Sequence, residues 1–220
     1  MTDPAHRLAH IHGVIARTAR MARRDANDIT LIAVSKRRSV SEIEPLIAAG
    51  VTDFGENRVA EAADKWPTLR LAHPGLKLHM IGRLQSNKAD EAVALFDTIH
   101  SLDRPSLLAA LVAAGERAGR FPGVYVQVNI GDEAQKGGVA LGELEGFLAT
   151  VRASPLPLMG LMAMPPKGLE AAPFFALLAK LARRHDVTGL SIGMSSDYPT
   201  AVMLGASVVR IGSALFEDEA

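Results

Sequence analysis

A lysine follows a short apolar run near the start of the sequence. The run from Ile29 to Ser35 is rich in β-branched residues and too short for a buried helix, which indicates a buried strand. In such a strand Ile32, Val34 and Lys36 share one face. If that face points inward, desolvation favours the neutral amine of Lys36, which can attack an aldehyde to form a Schiff base. A solvated lysine on a rim is the ordinary alternative, and this strand by itself favours it.

Two loops near the C-terminus combine glycine and serine in a pattern typical of phosphate binding. Residues 191–197 end one apolar run and open a helix, and residues 210–214 end the next run. Glycine lets the backbone approach an anion, and free N–H groups at a helix start point towards it. The hydroxyls of Ser195 and Ser213 can add donors. Either loop alone is more simply an ordinary turn, but both together with Lys36 are a more specific combination.

The elements that must position these residues alternate along the chain. Asp3 and Pro4 predict the start of an amphipathic helix over residues 4–24, and Ser41 to Glu44 has capping-box spacing for a second helix that Gly50 ends. After the strand at 29–35, further strands are predicted at 51–55, 77–82, 98–102, 123–130, 158–164, 189–193 and 207–212. Helices are predicted between them at 58–66, 87–95, 105–118, 141–153, 170–185 and 198–205.

This alternation predicts an α/β fold with parallel strands and right-handed crossovers. Eight strands separated by helices favour a single (β/α)8 TIM barrel with an extra N-terminal helix, over residues 1–220 as one domain. A doubly wound open sheet would show the same local pattern. In a barrel the functional site lies in the loops at the carboxyl ends of the strands, where Lys36 and both glycine-serine loops fall.

Charge and composition exclude several classes of function. The chain has 24 Lys and Arg against 24 Asp and Glu, so no net field attracts nucleic acid or an anionic membrane. It has no cysteine, so thiol chemistry and disulfides are excluded. Residues 1–24 read as neither a signal peptide nor an anchor, and no membrane span is expected. We expect a cytoplasmic protein without a metal site.

The motifs resemble those of a known family. The chain resembles the pyridoxal phosphate homeostasis proteins, stand-alone relatives of the alanine racemase N-terminal barrel, in seven ordered blocks that cover nearly its whole length. The blocks are Ala33-Val34-Ser35-Lys36, Phe54-Gly55-Glu56-Asn57, His79 to Lys88, Asn129-Ile130 with Glu133 and Lys136, Gly160 to Met164, Ser191 to Asp197, and Val209 to Ser213.

The resemblance implies a bound pyridoxal 5′-phosphate (PLP) and a role for each matching residue. Lys36 would carry PLP as an imine, and Arg210 would face the pyridine nitrogen. The remaining implied contacts are Asn57 beside the cofactor, His79 and Met162 as pocket wall, and Ser195, Gly212 and Ser213 around the phosphate. The block Gln85 to Lys88 is explained by a helix cap with a solvated lysine.

Two positions depart from the family pattern. Glu217 stands where the family often has glycine, and Pro199-Thr200 where it often has an acidic or small residue. Glu217 changes at most the path of the tail. Ser195 and Asp197 are intact beside the second departure, so phosphate binding is still expected.

The resemblance leaves a choice between an enzyme and a cofactor carrier. Racemisation needs a base on each face of the ring, and the related racemases take one, a tyrosine, from a C-terminal β domain. The sequence ends at Ala220 directly after the eighth strand, so we expect no such domain, and of its two tyrosines Tyr125 is expected in the core. Arg210 keeps its proton and leaves the ring nitrogen neutral, which makes the ring a poorer electron sink.

We therefore expect a non-catalytic, monomeric PLP carrier that acts in PLP homeostasis and could supply apo PLP-enzymes. One alternative is a racemase of low activity that gains its second base in a dimer. Another is a barrel enzyme that acts on a phosphorylated metabolite through an imine on Lys36.

Overall fold

The strands of the chain close into a barrel. The computed structural model describes residues 3–133, 135 and 137–216. Eight parallel strands pair in chain order and β8 pairs back onto β1, so the predicted (β/α)8 barrel is confirmed and the open sheet is wrong. The strands are β1 (Thr30–Val34), β2 (Asp53–Glu56), β3 (Lys77–Met80), β4 (Thr98–Leu102), β5 (Gly123–Gln127), β6 (Leu158–Met162), β7 (Gly189–Ser191) and β8 (Val208–Ile211).

Helices connect the strands on the outside of the barrel. Several strands are shorter than predicted because their last residues already belong to the loops at the carboxyl ends. The helices are α1 (Pro4–Met21), α2 (Val40–Ala48), α3 (Val59–Ala72), α4 (Ala89–Leu95), α5 (Pro105–Ala118), α6 (Leu144–Arg152), α7 (Ala172–Arg184), α8 (Tyr198–Met203) and α9 (Ser213–Phe216). No helix of the described ranges has both the length and the apolar character that a membrane crossing requires.

The extra helix α1 begins as predicted. Pro4 is its first residue and the Asp3 carboxylate accepts a hydrogen bond from the Ala5 N–H at 3.3 Å. The helix buries Leu8, Ile11 and other residues of one face against α2, α8 and α9.

The cap of α2 differs from the prediction. The capping box joins Ser39 and Glu42, not Ser41 and Glu44, because Ser39 is the last residue with an extended backbone. The Glu42 carboxylate accepts from both the N–H and the hydroxyl of Ser39, each at 2.8 Å. After the helix, Gly50 has φ of 96°, a left-handed conformation that favours glycine.

The buried side chains form two layers. The outer layer fills the space between the strands and the helices. The inner layer lies within the barrel and includes the apolar cluster Ile32, Tyr125, Met162 and Val208. Tyr125 is therefore a core residue, as expected. The functional site lies above this inner layer, at the carboxyl ends of the strands.

Candidate functional site

A cavity of about 650 Å³ opens where the strands end. That volume is in the range of small-molecule and cofactor sites. Its walls come mainly from the loops after β1, β2, β3, β7 and β8. Six of the seven cofactor residues predicted from the sequence line it: Lys36, Asn57, Ser195, Arg210, Gly212 and Ser213.

The charge of this pocket has one sign. Its charged lining residues are Lys36, Arg38, Arg83 and Arg210, and no Asp or Glu of the described residues lines it. The whole chain has no net charge, so these four cations make a local positive field. The pocket therefore favours an anionic ligand.

Lys36 lies in a turn after β1, two residues beyond the end of the strand at Val34. Its side chain is exposed at the pocket. Lys36 does not continue the strand face of Ile32 and Val34, as the sequence predicted, because the strand ends before it. The amine instead reaches the pocket from the rim, with Ser35 buried beneath it.

The Lys65 clamp, which we define as Lys65 with Glu56 and Glu61, holds the Lys36 turn by its backbone. The Lys65 ammonium donates to the carbonyl oxygens of Ser35 at 3.1 Å and Arg38 at 3.2 Å. It also pairs with Glu61 at 3.0 Å. The Glu61 carboxylate in turn accepts from the Arg37 N–H in the same turn. The clamp thus fixes the residues on both sides of Lys36.

Glu56 is the buried anchor of the clamp. One of its oxygens accepts from the Ser35 hydroxyl at 2.8 Å and the Trp66 indole N–H at 3.1 Å, and lies 2.7 Å from the Lys65 ammonium. Glu56 stands in one of the family blocks without a role predicted from the sequence, and Lys65 was not predicted at all. A carboxylate at the end of a buried strand, followed by Glu61 and Lys65 at helical i,i+4 spacing, was the available signal.

The loops after β7 and β8 are joined by one hydroxyl. Ser195 Oγ accepts from the backbone N–H of Gly212 at 3.3 Å and of Ala214 at 3.4 Å. Gly193 stands before this loop with φ of 92°, and a Cβ there would come within 2.5 Å of the Ala201 side chain. Glycine is thus required for the close approach of the loop to α8.

These two loops also present unused donors. Within the described part of the chain, the backbone N–H groups of Ser195, Ser196 and Ser213 make no hydrogen bond, although all three residues line the pocket. Together with the hydroxyls they form a set of donors to which an anion such as phosphate can bind.

Arg210 reaches the pocket from inside the barrel. Its guanidinium donates to the Ser191 carbonyl at 2.6 Å, the Ser191 hydroxyl at 2.5 Å and the Ala163 carbonyl at 3.3 Å. Burial lowers its pKa to about 10, so it is still a cation at neutral pH. Side-chain hydrogen bonds therefore fix this cation in position, in contrast to the exposed amine of Lys36.

Asn57 lines the pocket beside the loop after β3. A Cβ added to Gly82 would come within 2.3 Å of the Asn57 carbonyl oxygen, so the two loops touch through their backbones. Only glycine permits this contact.

Two predicted wall residues do not line the pocket. Met162 is fully buried within the barrel, below the level at which the loops begin, and Met164 lines the pocket in its place. His79 is also buried inside the barrel, where both of its ring nitrogens have partners. How deep each strand residue lies in the barrel is not readable from the order of residues along the strand.

The remaining predicted features lie around the site. Residues Ser86–Lys88 form a short 3-10 helix before α4, where Lys88 pairs with Glu91 at 2.7 Å. Pro199 and Thr200 lie in the first turn of α8. Lys136 and Glu217 lie outside the described residues. Among the residues that are described, no group of three or more His, Cys, Asp or Glu side chains could hold a metal ion.

Known proteins share this sequence and fold. The family described as the alanine racemase N-terminal domain matches residues 13–220. The pyridoxal phosphate homeostasis protein of Escherichia coli (strain K12) is 38% identical over 228 residues, covering 98% of this chain and 97% of that protein. The chain belongs to the pyridoxal phosphate homeostasis protein family. The resemblance seen in the sequence is thereby confirmed.

Two solved structures are similar to this chain at different levels of sequence identity. PipY of Synechococcus elongatus PCC7942, solved with PLP bound, is 36% identical, with a TM-score of 0.79 over 92% of this chain and 99% of that chain. Alanine racemase of Clostridium difficile 630 is 14% identical, with a TM-score of 0.74 over 99% of this chain and 57% of that chain. The likeness to the racemase shows the shared fold alone.

Proposed function

We propose that this chain binds PLP in the pocket at the barrel mouth and acts in PLP homeostasis, not as an enzyme. The observation that carries the proposal is the lining of that pocket, which brings four cations and no carboxylate of the described residues together with unused N–H donors. The contacts we assign are Lys36 for the aldehyde carbon, Arg210 for the pyridine nitrogen, Asn57 beside the ring, and Ser195, Gly212 and Ser213 for the phosphate.

The residues present fit the chemistry of the cofactor. PLP supplies an aldehyde that condenses with primary amines, and a phosphate that needs hydrogen-bond donors. Lys36 Nζ would form a C=N bond with the aldehyde carbon while the aldehyde oxygen leaves as water. The Lys65 clamp keeps the turn of Lys36 in place, and the amine itself is exposed and accessible. An open site of this kind suits a protein that takes up and releases its cofactor.

The same lining supports a carrier over a racemase. Among the described lining residues, Lys36 is the one amine, and none is a His, Tyr, Asp or Glu that could serve as a second base. Arg210 would donate to the ring nitrogen without protonating it, so the ring would withdraw electrons weakly. The curated relatives bear the name of homeostasis proteins, in agreement with this arrangement.

Further features of the proposal concern the protein in the cell. We propose that residues 1–220 act as one domain, that the protein is a monomer in the cytoplasm, and that apo PLP-enzymes receive its cofactor. Light scattering of the purified protein tests the oligomeric state, since a monomer has a mass of 23.4 kDa.

Retention of the chromophore tests the assignment of Lys36. Wild type, Lys36→Ala and the matched control Lys180→Ala, an exposed lysine on α7, are each incubated with PLP and dialysed. We expect the visible imine band in wild type and the control and its loss in Lys36→Ala. An equal band in all three proteins would overturn the assignment of Lys36. No band in any of them would favour the enzyme that acts on a phosphorylated metabolite.

Turnover is the second test. Purified PLP-loaded protein is incubated with D- and L-alanine, and the two enantiomers are followed over time. We expect no racemisation above that of free PLP. A rate well above this background would show that the chain is an enzyme.

A further inference from the structure

A continuous chain of hydrogen bonds crosses the interior of the barrel beneath Arg210. The Arg210 guanidinium meets the Ser191 hydroxyl at 2.5 Å, and this hydroxyl lies 2.9 Å from His100 Nδ1. His100 Nε2 lies 3.1 Å from His79 Nδ1, and His79 Nε2 lies 3.0 Å from the Asp53 carboxylate. We call these five residues the histidine chain. The proposed function uses only Arg210.

The two ends of the histidine chain fix the direction of its outer hydrogen bonds. A guanidinium can only donate, so the Ser191 oxygen accepts from Arg210 and its own proton is free for His100 Nδ1. An ionised carboxylate can only accept, so His79 Nε2 carries a proton and donates it to Asp53. With one proton on each ring, His79 Nδ1 accepts from the Nε2 proton of His100. The inner links then agree with both ends, and each ring is protonated on Nε2.

The surroundings of His100 favour its neutral form. Burial lowers the pKa of His100 well below its usual value, and positive charge nearby, at Arg210 and at His79 when that ring is protonated, lowers it further. Burial acts to raise the pKa of Asp53, but hydrogen bonds from His79 and Thr52 and the charge of Lys77 outweigh it and leave that pKa lowered. His100 also stacks on Tyr125 with ring centroids 4.5 Å apart, which fixes the plane of the ring.

We propose that Asp53, His79, His100 and Ser191 are positioning residues for Arg210, which hold its guanidinium in one orientation towards the ring nitrogen of the cofactor. The Ser191 hydroxyl is committed to His100 as a donor and so must accept from Arg210. Every link is buried or nearly so, and no buried side-chain N or O atom in it lacks a partner, which gives the chain one stable arrangement. The role towards the cofactor rests on the proposed PLP binding, whereas the direction of the hydrogen bonds does not.

The direction is tested without cofactor. Long-range ¹H–¹⁵N spectra of the imidazole rings in the PLP-free protein, assigned with single histidine variants, report which nitrogen carries the proton. We expect His100 to be neutral at pH 7 with its proton on Nε2, and Nε2 of His79 to carry a proton. A proton on Nδ1 of His100 would overturn the proposal.

The role towards Arg210 is tested with a matched pair of variants. His79→Gln keeps an acceptor for His100 and a donor for Asp53 on one side chain, whereas His79→Leu keeps neither. We expect His79→Leu to raise the dissociation constant of PLP about tenfold, the effect of about one lost hydrogen bond to a charged group, and His79→Gln to stay within about twofold of wild type. Equal constants for the two variants would contradict the proposal, since packing alone does not distinguish them by hydrogen bonding.

A second pair covers the case in which His79→Leu does not fold. Ser191→Ala removes the link to Arg210, and Ser101→Ala removes a buried hydroxyl that has no partner among the described residues. We expect the dissociation constant of PLP to be about tenfold higher for Ser191→Ala and unchanged for Ser101→Ala. Equal dissociation constants for these two variants would also count against the proposal. If wild type retains no PLP, the proposed function fails and the role towards the cofactor fails with it, while the spectra still decide the direction of the chain.

Discussion

The two sides of the pocket hold their cations in opposite ways. On the β1 side Lys36 is exposed, and the Lys65 clamp holds its turn through backbone carbonyls. On the β8 side Arg210 is buried, and its own side chain is held by Ser191 and Ala163. An amine that forms and breaks a covalent bond, as we propose for Lys36, needs freedom at its end. A guanidinium that only donates hydrogen bonds gains from being fixed.

The two supports differ in charge as well. In the clamp the buried Glu56 forms a salt bridge with Lys65, so removal of one partner leaves the other charge buried without a counter-charge. The histidine chain has charges at its two ends and a buried, neutral His100 between them. We therefore expect the clamp to fail through loss of its cation and the histidine chain to fail through protonation.

The largest effect is expected from Lys65→Met. This change leaves the Glu56 carboxylate fully buried without its cation, and should lower the free energy of unfolding by about 3–5 kcal/mol. Urea unfolding of the variant against Lys180→Met, an exposed lysine on α7, measures it. A loss no greater than that of Lys180→Met would mean that the clamp does not stabilise the β1 side.

The next effect concerns the contact between the β2 and β3 loops. In Gly82→Ala the new Cβ would come within 2.3 Å of a backbone oxygen of Asn57, so the loops must move apart, at a cost of about 1–3 kcal/mol. We expect weaker PLP retention as well. Gly146→Ala on α6 is the control. A Cβ added there would meet no atom within 4 Å, and Ala stabilises a helix relative to Gly. Equal behaviour of the two variants would contradict the tight contact.

The pH dependence of stability separates the two supports. Below pH 6.5, the usual pKa of histidine, this side chain binds a proton in the unfolded chain but not when it is buried in the folded one. As the pH falls, His100 should therefore lower the free energy of unfolding by up to about 1.4 kcal/mol per pH unit. His100→Gln should remove this part of the slope in urea unfolding between pH 7 and 5. An unchanged slope would show that His100 is protonated in the fold.

The clamp should respond only at lower pH. Burial acts to raise the pKa of Glu61, but hydrogen bonds from Lys65 and the Arg37 N–H outweigh it and leave that pKa below its usual 4.5. Its contribution is present above pH 4.5 and is lost as the pH falls below that value. Comparison of Glu61→Gln with wild type at pH 6 and pH 3.5 tests this, since the difference between them should shrink at the lower pH.

The smallest effect is expected at the phosphate loops. Ser195→Ala removes one hydroxyl, and should raise the PLP dissociation constant about tenfold with little change in unfolding. Ser106→Ala, an exposed serine on α5, is the control for both measurements. A constant equal to that of the control would remove Ser195 from the set of phosphate contacts.

The sequence by itself determined the architecture and most of the pocket. Alternating strand and helix patterns predicted eight units and a barrel, and strand ends marked where Lys36, Ser195 and Arg210 would meet. These features are readable because periodicity and turn residues are local properties of the chain. Family blocks then connected them to PLP.

Only the tertiary structure decided what supports these residues. Glu56 and Lys65 meet because α3 packs back beside β2, and the histidine chain exists because β3, β4 and β7 bring inward-facing residues to neighbouring levels. Burial depth also separated Met162 from Met164. Such relations depend on strand register and on closure of the barrel, which join residues far apart in sequence, so no local pattern encodes them.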